Sequence, residues 1–306
     1  MCTSSLYACL AICLAGIAGP NPSNAIQGTT ETGAALGTAL SQSASGEERV
    51  PIREFALSFA DPSKAGHLDI DIKRGDILVT AHDSDEVLVR LSVPKAKTPV
   101  HADRAPGLQT ISARPLDFNV RQNGNTIELD GNSYDAITHI EVLVPRHTDL
   151  TLDSYRSGEI RVDGVRGHVN ARSQNNTITL TKITGSARII GRNGDISASF
   201  HQVTGAVTIE TYNGNIDLAI PADTKTTALI RAVKGNVQSQ LSIVERPARL
   251  VIANPKDGTR SFELGEYFIG DINGGGVQSV LETTNGSVRI RKYDAPATDV
   301  RPLSFD

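Results

Sequence analysis

The chain has 306 residues, which is enough for one large all-β domain or two ordinary domains. It has no tryptophan, one methionine and 4% aromatic residues beside 27 glycines, so its core must consist mainly of Val, Ile, Leu and Ala. The formal net charge of -4 provides no basic excess to neutralise phosphates, which argues against nucleic acid or another polyanion as a partner.

The first 25 residues predict a secretory signal peptide. An apolar run over residues 6–18 is followed by small residues that allow cleavage after Ala18 or Ala25. No Lys or Arg precedes the run, which a start codon placed too late would explain; a disordered apolar tail and a lipid anchor on Cys13 or Cys9 remain open. The mature protein would have no disulfide, because both cleavage points follow all three cysteines, Cys2, Cys9 and Cys13.

Residues 26–48 consist mostly of Gly, Ala, Ser and Thr and predict a flexible linker. We expect one ordered domain over residues 49–293 and a disordered tail over residues 294–306. The domain begins with short runs of alternating apolar residues, which predict strands at residues 55–59, 67–72, 76–80 and 87–93.

The middle of the chain interrupts this pattern and then resumes it. Residues 94–115 are rich in proline and charge and predict a long exposed loop. A hairpin is predicted around Asn123-Gly124, because Asn-Gly accepts the positive φ of a tight turn. A further strand is predicted at residues 139–145.

The main signal is a short sequence motif, here called the phrase, that recurs every 18 to 21 residues over residues 157–240; one copy is Asn193-Gly194-Asp195-Ile196. One coil of this length cannot bury its own apolar face, so the coils must stack, with neighbouring strands about 4.8 Å apart. The predicted fold class is therefore all-β, a β-solenoid or β-helix-like stack of short strands. The apolar markers of the phrase are Ile160, Ile178, Ile196, Ile216 and Val237, with a later copy at Val288 and a degenerate early copy at Ile77.

Each copy of the phrase contains a Gly or Asn at the point where we expect the chain to change direction. Glycine takes positive φ freely and asparagine does so better than most residues, so we expect a corner at each such position. Three positions before the later corners the residues are also small, as expected where stacked coils approach closely: Ser173, Gly191, Thr211, Ala232 and Thr283. The predicted structural turn positions are Gly158, Asn176, Gly194, Gly214, Gly235 and Gly286.

Over residues 55–292, the order of these phrases resembles the bacterial putative-adhesin β-strand repeat family, whose domains are also called Toastrack. The motifs that carry the resemblance are the early strand-Gly-strand segment, the strand at residues 140–145, the alternation of Asn-Gly-x-Ile with Val-x-Gly-x-Val, Ile220-Pro221 and the closing residues 274–288. The resemblance implies an extracytoplasmic β-solenoid-like domain of unknown function. It provides no catalytic residues to carry over.

No catalytic, cofactor or metal site is predicted. The sequence contains no nucleophile elbow and no Walker loop, and the seven histidines form no metal-ligand spacing. Clustered carboxylates suit Ca²⁺, but acids that alternate with apolar residues are also typical of a solvated strand face. The acids concerned are Asp69, Asp71, Asp76, Asp83, Asp85 and Glu86.

A polysaccharide-active β-helix would collect carboxylates, or Arg and Lys, on neighbouring coils. The outward residues do not predict such a group, because they place two charges about three coils apart. The predicted outward ladders are Arg161, Thr179, Ser197, Asp217, Gln238; Arg166, Thr184, Thr204; and His168, Ser186, Ala206.

The sequence therefore predicts a non-enzymatic interaction module that is exported to the periplasm, the cell surface or the medium. Adhesion is one function that such a module can have. Its partner would be an envelope or cell-surface protein or a glycan. The alternatives are a periplasmic partner domain in envelope-stress signalling and a polysaccharide-active β-helix enzyme. We expect any specific function to lie in the two segments that break the repeat, residues 94–115 and 241–270.

Overall fold

The computed structural model describes residues 48–95, 117–246, 251–252, 262–263 and 267–294. The predicted signal peptide (1–25), nearly all of the linker (26–48), most of the 94–115 loop, parts of the 241–270 insertion and the tail after residue 294 lie outside the described residues. Within the described part of the chain, no helix is long and apolar enough to cross a membrane.

All regular structure in the described residues is β, which confirms the predicted fold class. The alternation of apolar and polar residues forms the strands because it buries one face of each strand and solvates the other. The strands are β1 (Arg49–Ser58), β2 (Gly66–Ile72), β3 (Ile77–His82), β4 (Glu86–Pro94), β5 (Phe118–Asn123), β6 (Thr126–Gly131), β7 (His139–Pro145), β8 (Thr148–Ser154), β9 (Ile160–Asp163), β10 (Arg166–Ser173), β11 (Ile178–Gly191), β12 (Ile196–Asn213), β13 (Ile216–Ile220), β14 (Thr226–Ala232), β15 (Val237–Ser239), β16 (Ile243–Glu245), β17 (Val251–Ile252), β18 (Phe262–Glu263), β19 (Phe268–Ile272), β20 (Val277–Asn285) and β21 (Val288–Lys292).

Nineteen of the described strands form two stacks, in which most neighbours are parallel, and β17 and β18 form a separate antiparallel pair. Sheet 1 has the order β5-β6-β2-β8-β10-β11-β12-β20-β14-β19-β16. Sheet 2 has the order β1-β4-β7-β3-β9-β11-β12-β13-β21-β15. The long strands β11 and β12 continue from sheet 2 into sheet 1, so each coil contributes to both sheets.

Two coils lie out of chain order. The coil of β2 and β3 is inserted between the coil of β6 and β7 and that of β8 and β9. The coil of β20 and β21 is inserted between the coil of β12 and β13 and that of β14 and β15. Ile216 is thus aligned with Val288, and Val288 with Val237, so the predicted Ile216-to-Val237 step is not a direct contact. Periodicity cannot reveal this, because all copies carry the same apolar spacing.

The inward residues of both sheets form one hydrophobic cluster. The repeat markers Ile160, Ile178, Ile196 and Ile216 are all buried and aligned strand to strand. Burial of such side chains stabilises each by roughly 1.5–3 kcal/mol relative to exposure. The repeated apolar residue is therefore explained by the fold.

The predicted turn positions stack in one column. Gly158, Gly194 and Gly214 have positive φ, as expected, but Asn176, Gly235 and Gly286 are not among the described residues with positive φ. Close backbone approach is the more general reason for glycine here: a Cβ on Gly235 would lie 1.8 Å from the carbonyl oxygen of Gly286. The expectation that Asn176 replaces glycine because it tolerates positive φ is therefore wrong.

Candidate functional site

The acids that suggested calcium are separated by the fold. Among the described residues, no group of three or more His, Cys, Asp or Glu side chains could hold a metal ion. Asp69 and Asp71 lie on the outer face of β2, Asp76 is in a buried network at the start of β3, and Asp83 pairs with Arg146 at 2.5 Å. These acids are close together in the sequence, but in the fold each has different neighbours.

The outer face of sheet 1 carries an acidic row that the sequence does not predict, because its members come from distant segments. Asp71 is aligned with Asp130 on one neighbouring strand and Asp153 on the other. Lys73 Nζ lies 2.9 Å from Asp71 Oδ1, and Arg121 Nη2 lies 2.7 Å from Asp130 Oδ2. The row is thus partly neutralised by cations on a sheet face, which does not resemble the paired carboxylates of a glycosidase cleft.

Asp69 lies in the next row, opposite Glu128. Burial raises the pKa of Asp69, His67 lowers it, and the negative charges of Asp153, Glu128 and Asp130 raise it further. A raised carboxyl pKa means that folding disfavours the ionised form, so the ionised group destabilises the fold above that pKa and ceases to do so as the pH falls below it.

We therefore expect Asp69→Asn to raise the free energy of unfolding at pH 7 by a few tenths to about 1 kcal/mol, because it removes a charge that burial disfavours and, with it, a like-charge contact with Glu128 across adjacent strands. Urea unfolding at pH 7 and pH 3 measures this. The gain should shrink at pH 3, where the wild-type carboxyl is largely protonated. A gain of equal size at both pH values would contradict the electrostatic origin.

The outward ladder of sheet 2 differs from its prediction at one end. Arg161, Thr179, Ser197 and Asp217 are aligned as predicted, but Arg289 lies between Asp217 and Gln238. The charges are paired locally: Arg161 Nε is 2.7 Å from Glu159 Oε1, and Arg291 Nε is 2.6 Å from Asp217 Oδ1.

The two ladders predicted on sheet 1 hold only in part. Thr184 is aligned with Arg166 but faces Gln202 rather than Thr204, because the register of β11 and β12 shifts there. His168 is aligned with Ser186 as predicted, and the same register shifts affect β12 beyond it.

Ser186, His168 and Asp149 invite comparison with a catalytic triad. His168 Nδ1 lies 2.8 Å from Ser186 Oγ. However, Asp149 Oδ1 accepts the backbone N–H of His168 at 2.6 Å. A carboxylate that orients a catalytic imidazole must instead bind the second ring nitrogen. These contacts support a structural role.

An interior cavity lies between the sheets near the inserted C-terminal coil. It has a volume of about 10 Å³, which is at the lower limit for a single water molecule. Its wall is mostly apolar and includes Val203, Leu218, Ile220 and Leu281. It is too small to bind a substrate.

The coil corners carry a ladder of asparagine amides. Asn193 Nδ2 donates to Asn175 Oδ1 at 2.8 Å, and Asn213 Nδ2 donates to Asn193 Oδ1 at 2.7 Å. Asn285 Nδ2 continues the ladder by donating to Asn213 Oδ1 at 2.6 Å. Each donating amide keeps a second N–H that the ladder does not use.

Beside this ladder runs a row of larger polar side chains. Backbone register places Tyr155, Gln174, Arg192 and Tyr212 on successive coils. The exposed fractions of Tyr155 and Tyr212 are 48% and 55%, and the ring of Tyr134, itself 50% exposed, lies edge-on to Tyr155. We call this region the corner surface: Tyr134, Tyr155, Arg156, Gln174, Asn175, Arg192, Asn193, Tyr212, Asn213 and Asn285.

The corner surface concentrates exposed tyrosines beside two arginines. The described exposed tyrosines all lie on it, in a chain with only 4% aromatic residues. Arg156 and Arg192 are exposed and have no ion pair within the described residues. The glycine-containing corner motif is visible in the sequence, but it indicates its asparagines only as turn formers. The exposed residues that precede them differ from coil to coil and give no repeated signal.

We expect Asn193→Ala to lower the free energy of unfolding by about 1 kcal/mol, because it leaves Asn175 Oδ1 and Asn213 Nδ2 without their ladder partners. Thermal unfolding followed by circular dichroism measures this. Asn132→Ala is the matched control, because Asn132 is an exposed asparagine outside the ladder. Equal effects of the two substitutions would contradict a stabilising role for the ladder.

Residues 137–250 match the family described as Toastrack DUF4097, which confirms the resemblance seen in the sequence. No curated protein matches the chain. The fold is similar to a crystal structure titled "putative cell adhesion protein" from Clostridium sporogenes, at 12% identity and a TM-score of 0.41, covering 80% of this chain and 100% of that one. It is also similar to a "putative adhesin" from Bacteroides fragilis, at 10% identity and a TM-score of 0.39, covering 79% of this chain and 97% of that one.

Proposed function

We propose that this protein with a Toastrack segment is a non-enzymatic, exported interaction module that binds an envelope or cell-surface partner through the corner surface. The observation that carries the proposal is the exposure of Tyr155, Tyr212, Arg156 and Arg192 together on one edge of the stack. Tyr and Arg dominate the binding energy of protein interfaces and offer both stacking and hydrogen bonding.

The outer faces of the two sheets are less suited to binding a partner than the corner surface. Several of their ionised groups are engaged with neighbours, as in the contacts of Arg121 with Asp130, Arg161 with Glu159 and Arg291 with Asp217. A partner that bound there would have to compete with these contacts. On the corner surface, the guanidinium groups of Arg156 and Arg192 are available without such competition.

Cell fractionation and pull-down test the proposal. We expect the protein in the envelope or extracellular fraction, and we expect the wild-type chain to capture a partner that Tyr155→Ser/Tyr212→Ser captures at least about tenfold less. Val244→Ser is the matched control, because Val244 is 67% exposed but lies on β16, away from the corner. Recovery in the cytoplasm would overturn export, and equal capture by all three proteins would overturn the corner assignment.

A further inference from the structure

We propose that the ligand of the corner surface is a linear acidic polysaccharide, bound along the stack of coils. This inference rests on the proposed function and names the class of its partner. Three features of the described residues carry it: the regular spacing of the corner residues, two guanidinium groups without carboxylate partners, and exposed aromatic rings that flank them.

The spacing favours a polymer that repeats along one direction. Corner residues from successive coils are separated by the strand spacing of about 4.8 Å. The row Tyr155, Gln174, Arg192 and Tyr212 therefore spans about 14 Å, with the asparagine ladder beside it. A linear glycan presents hydroxyl groups at a comparable regular interval, and the unused N–H groups of the amides can donate to them.

The charges favour an acidic glycan over a neutral one. Arg156 and Arg192 lie two coils apart, about 10 Å, with Gln174 on the coil between them. Guanidinium groups bind carboxylates in a bidentate manner, and such charge-assisted hydrogen bonds are roughly twice as strong as neutral ones. The net charge of -4 argues against a polyanion for the chain as a whole. The acidic row of sheet 1 ends at Asp153, whose carboxylate lies 4.0 Å from Arg172, so the charges that face the corner ligand are those of Arg156 and Arg192.

The aromatic rings supply the apolar part of the site. Tyr155 lies beside Arg156, and Tyr212 stands on the coil after Arg192. A sugar ring has an apolar face that packs against an aromatic ring, and a half-exposed tyrosine can offer that contact while its hydroxyl donates or accepts a hydrogen bond. The two tyrosines and the two arginines would thus contact sugars at three levels along one glycan chain.

Calorimetry with oligomers of defined length tests the inference. Oligogalacturonate is the acidic probe, and cello-oligosaccharide of equal length is the neutral one. We expect oligogalacturonate to bind at least about tenfold more tightly, to weaken as salt is raised, and to lose at least about tenfold in affinity with Arg156→Gln/Arg192→Gln. Arg188→Gln is the matched control, because Arg188 is an exposed arginine on the face of sheet 1 with no ion pair within the described residues; it should bind like wild type.

Three outcomes would overturn the inference. Equal affinity for the acidic and neutral oligomers would remove the role of the guanidinium groups. Equal losses for the double variant and Arg188→Gln would place binding elsewhere. No binding of either glycan, while a protein partner is still captured through Tyr155 and Tyr212, would overturn the glycan class and leave the proposed function standing; loss of corner-dependent capture as well would overturn both.

Discussion

Gly194→Val is expected to lower the free energy of unfolding by about 3 kcal/mol, through two separate effects that add at this position. The φ of Gly194 is +142°, a region that residues with a side chain rarely adopt. A Cβ would also lie 2.5 Å from the carbonyl oxygen of Asn176 on the stacked coil. Relief of that clash would require coils to separate, which would disturb the core beneath Ile178 and Ile196. Urea unfolding followed by circular dichroism measures the loss.

Two control substitutions separate these effects. At Gly124 the φ is +57° but a Cβ would have no heavy atom within 4 Å, so Gly124→Ala should cost only about 1 kcal/mol from backbone strain. At Gly235 a Cβ would lie 1.8 Å from the carbonyl oxygen of Gly286, and Gly235 is not among the residues with positive φ, so Gly235→Ala reports the clash. If Gly194→Val unfolded at the same urea concentration as wild type, the close stacking of the corner residues in one column would be refuted.

The sequence was sufficient to predict what one coil contains. Alternation in residues such as Ile196 and Ala198 specifies which side chains are buried, because a strand exposes one face to each side. The small residues at Gly194 and Gly214 are also readable, because close stacking leaves no space for a Cβ. These features depend on short sequence separations and on rules that apply to every copy.

The sequence was not sufficient to predict which coils are neighbours. Asp71 faces Asp130 and Asp153, and Asp217 faces Arg289, across separations of about 60 to 80 residues. Copies of a phrase with equal apolar spacing can stack in several orders with similar burial. The charge and shape of the outer surface depend on that order, so the acidic row and the continuity of the corner surface appear only in three dimensions.

Asp76→Asn is expected to lower the free energy of unfolding at pH 7 by about 3 kcal/mol, because it leaves a buried cation without its counter-charge. Arg49, only 3% exposed, donates to Asp76 Oδ2, and His139 Nδ1 lies 3.2 Å from the same oxygen. Asp76 Oδ1 accepts the backbone N–H of Glu159 at 2.7 Å. The carboxylate thus joins β1, β7 and the corner before β9, so its effect should exceed that of a surface ion pair.

Acid titration gives this prediction a second, independent readout. Burial raises the pKa of Asp76, but its contact with His139, the backbone N–H of Glu159 and the charge of Arg49 outweigh burial and lower it to about 2 from 3.8. Because the folded-state pKa is the lower one, the carboxylate stabilises the fold above about pH 4, and this contribution of about 2 kcal/mol is lost as the pH falls towards 2.

Urea unfolding from pH 7 to pH 2 should therefore bring wild type and Asp76→Asn closer together as the pH falls, because protonation removes in the wild type the charge that the variant already lacks. Asp83→Asn is the matched control: Asp83 also pairs with an arginine, but its side chain is 82% exposed, so its substitution should leave the unfolding midpoint close to that of wild type. A gap between wild type and Asp76→Asn that stays constant down to pH 2 would mean that Asp76 stabilises β1 by packing and not by its charge.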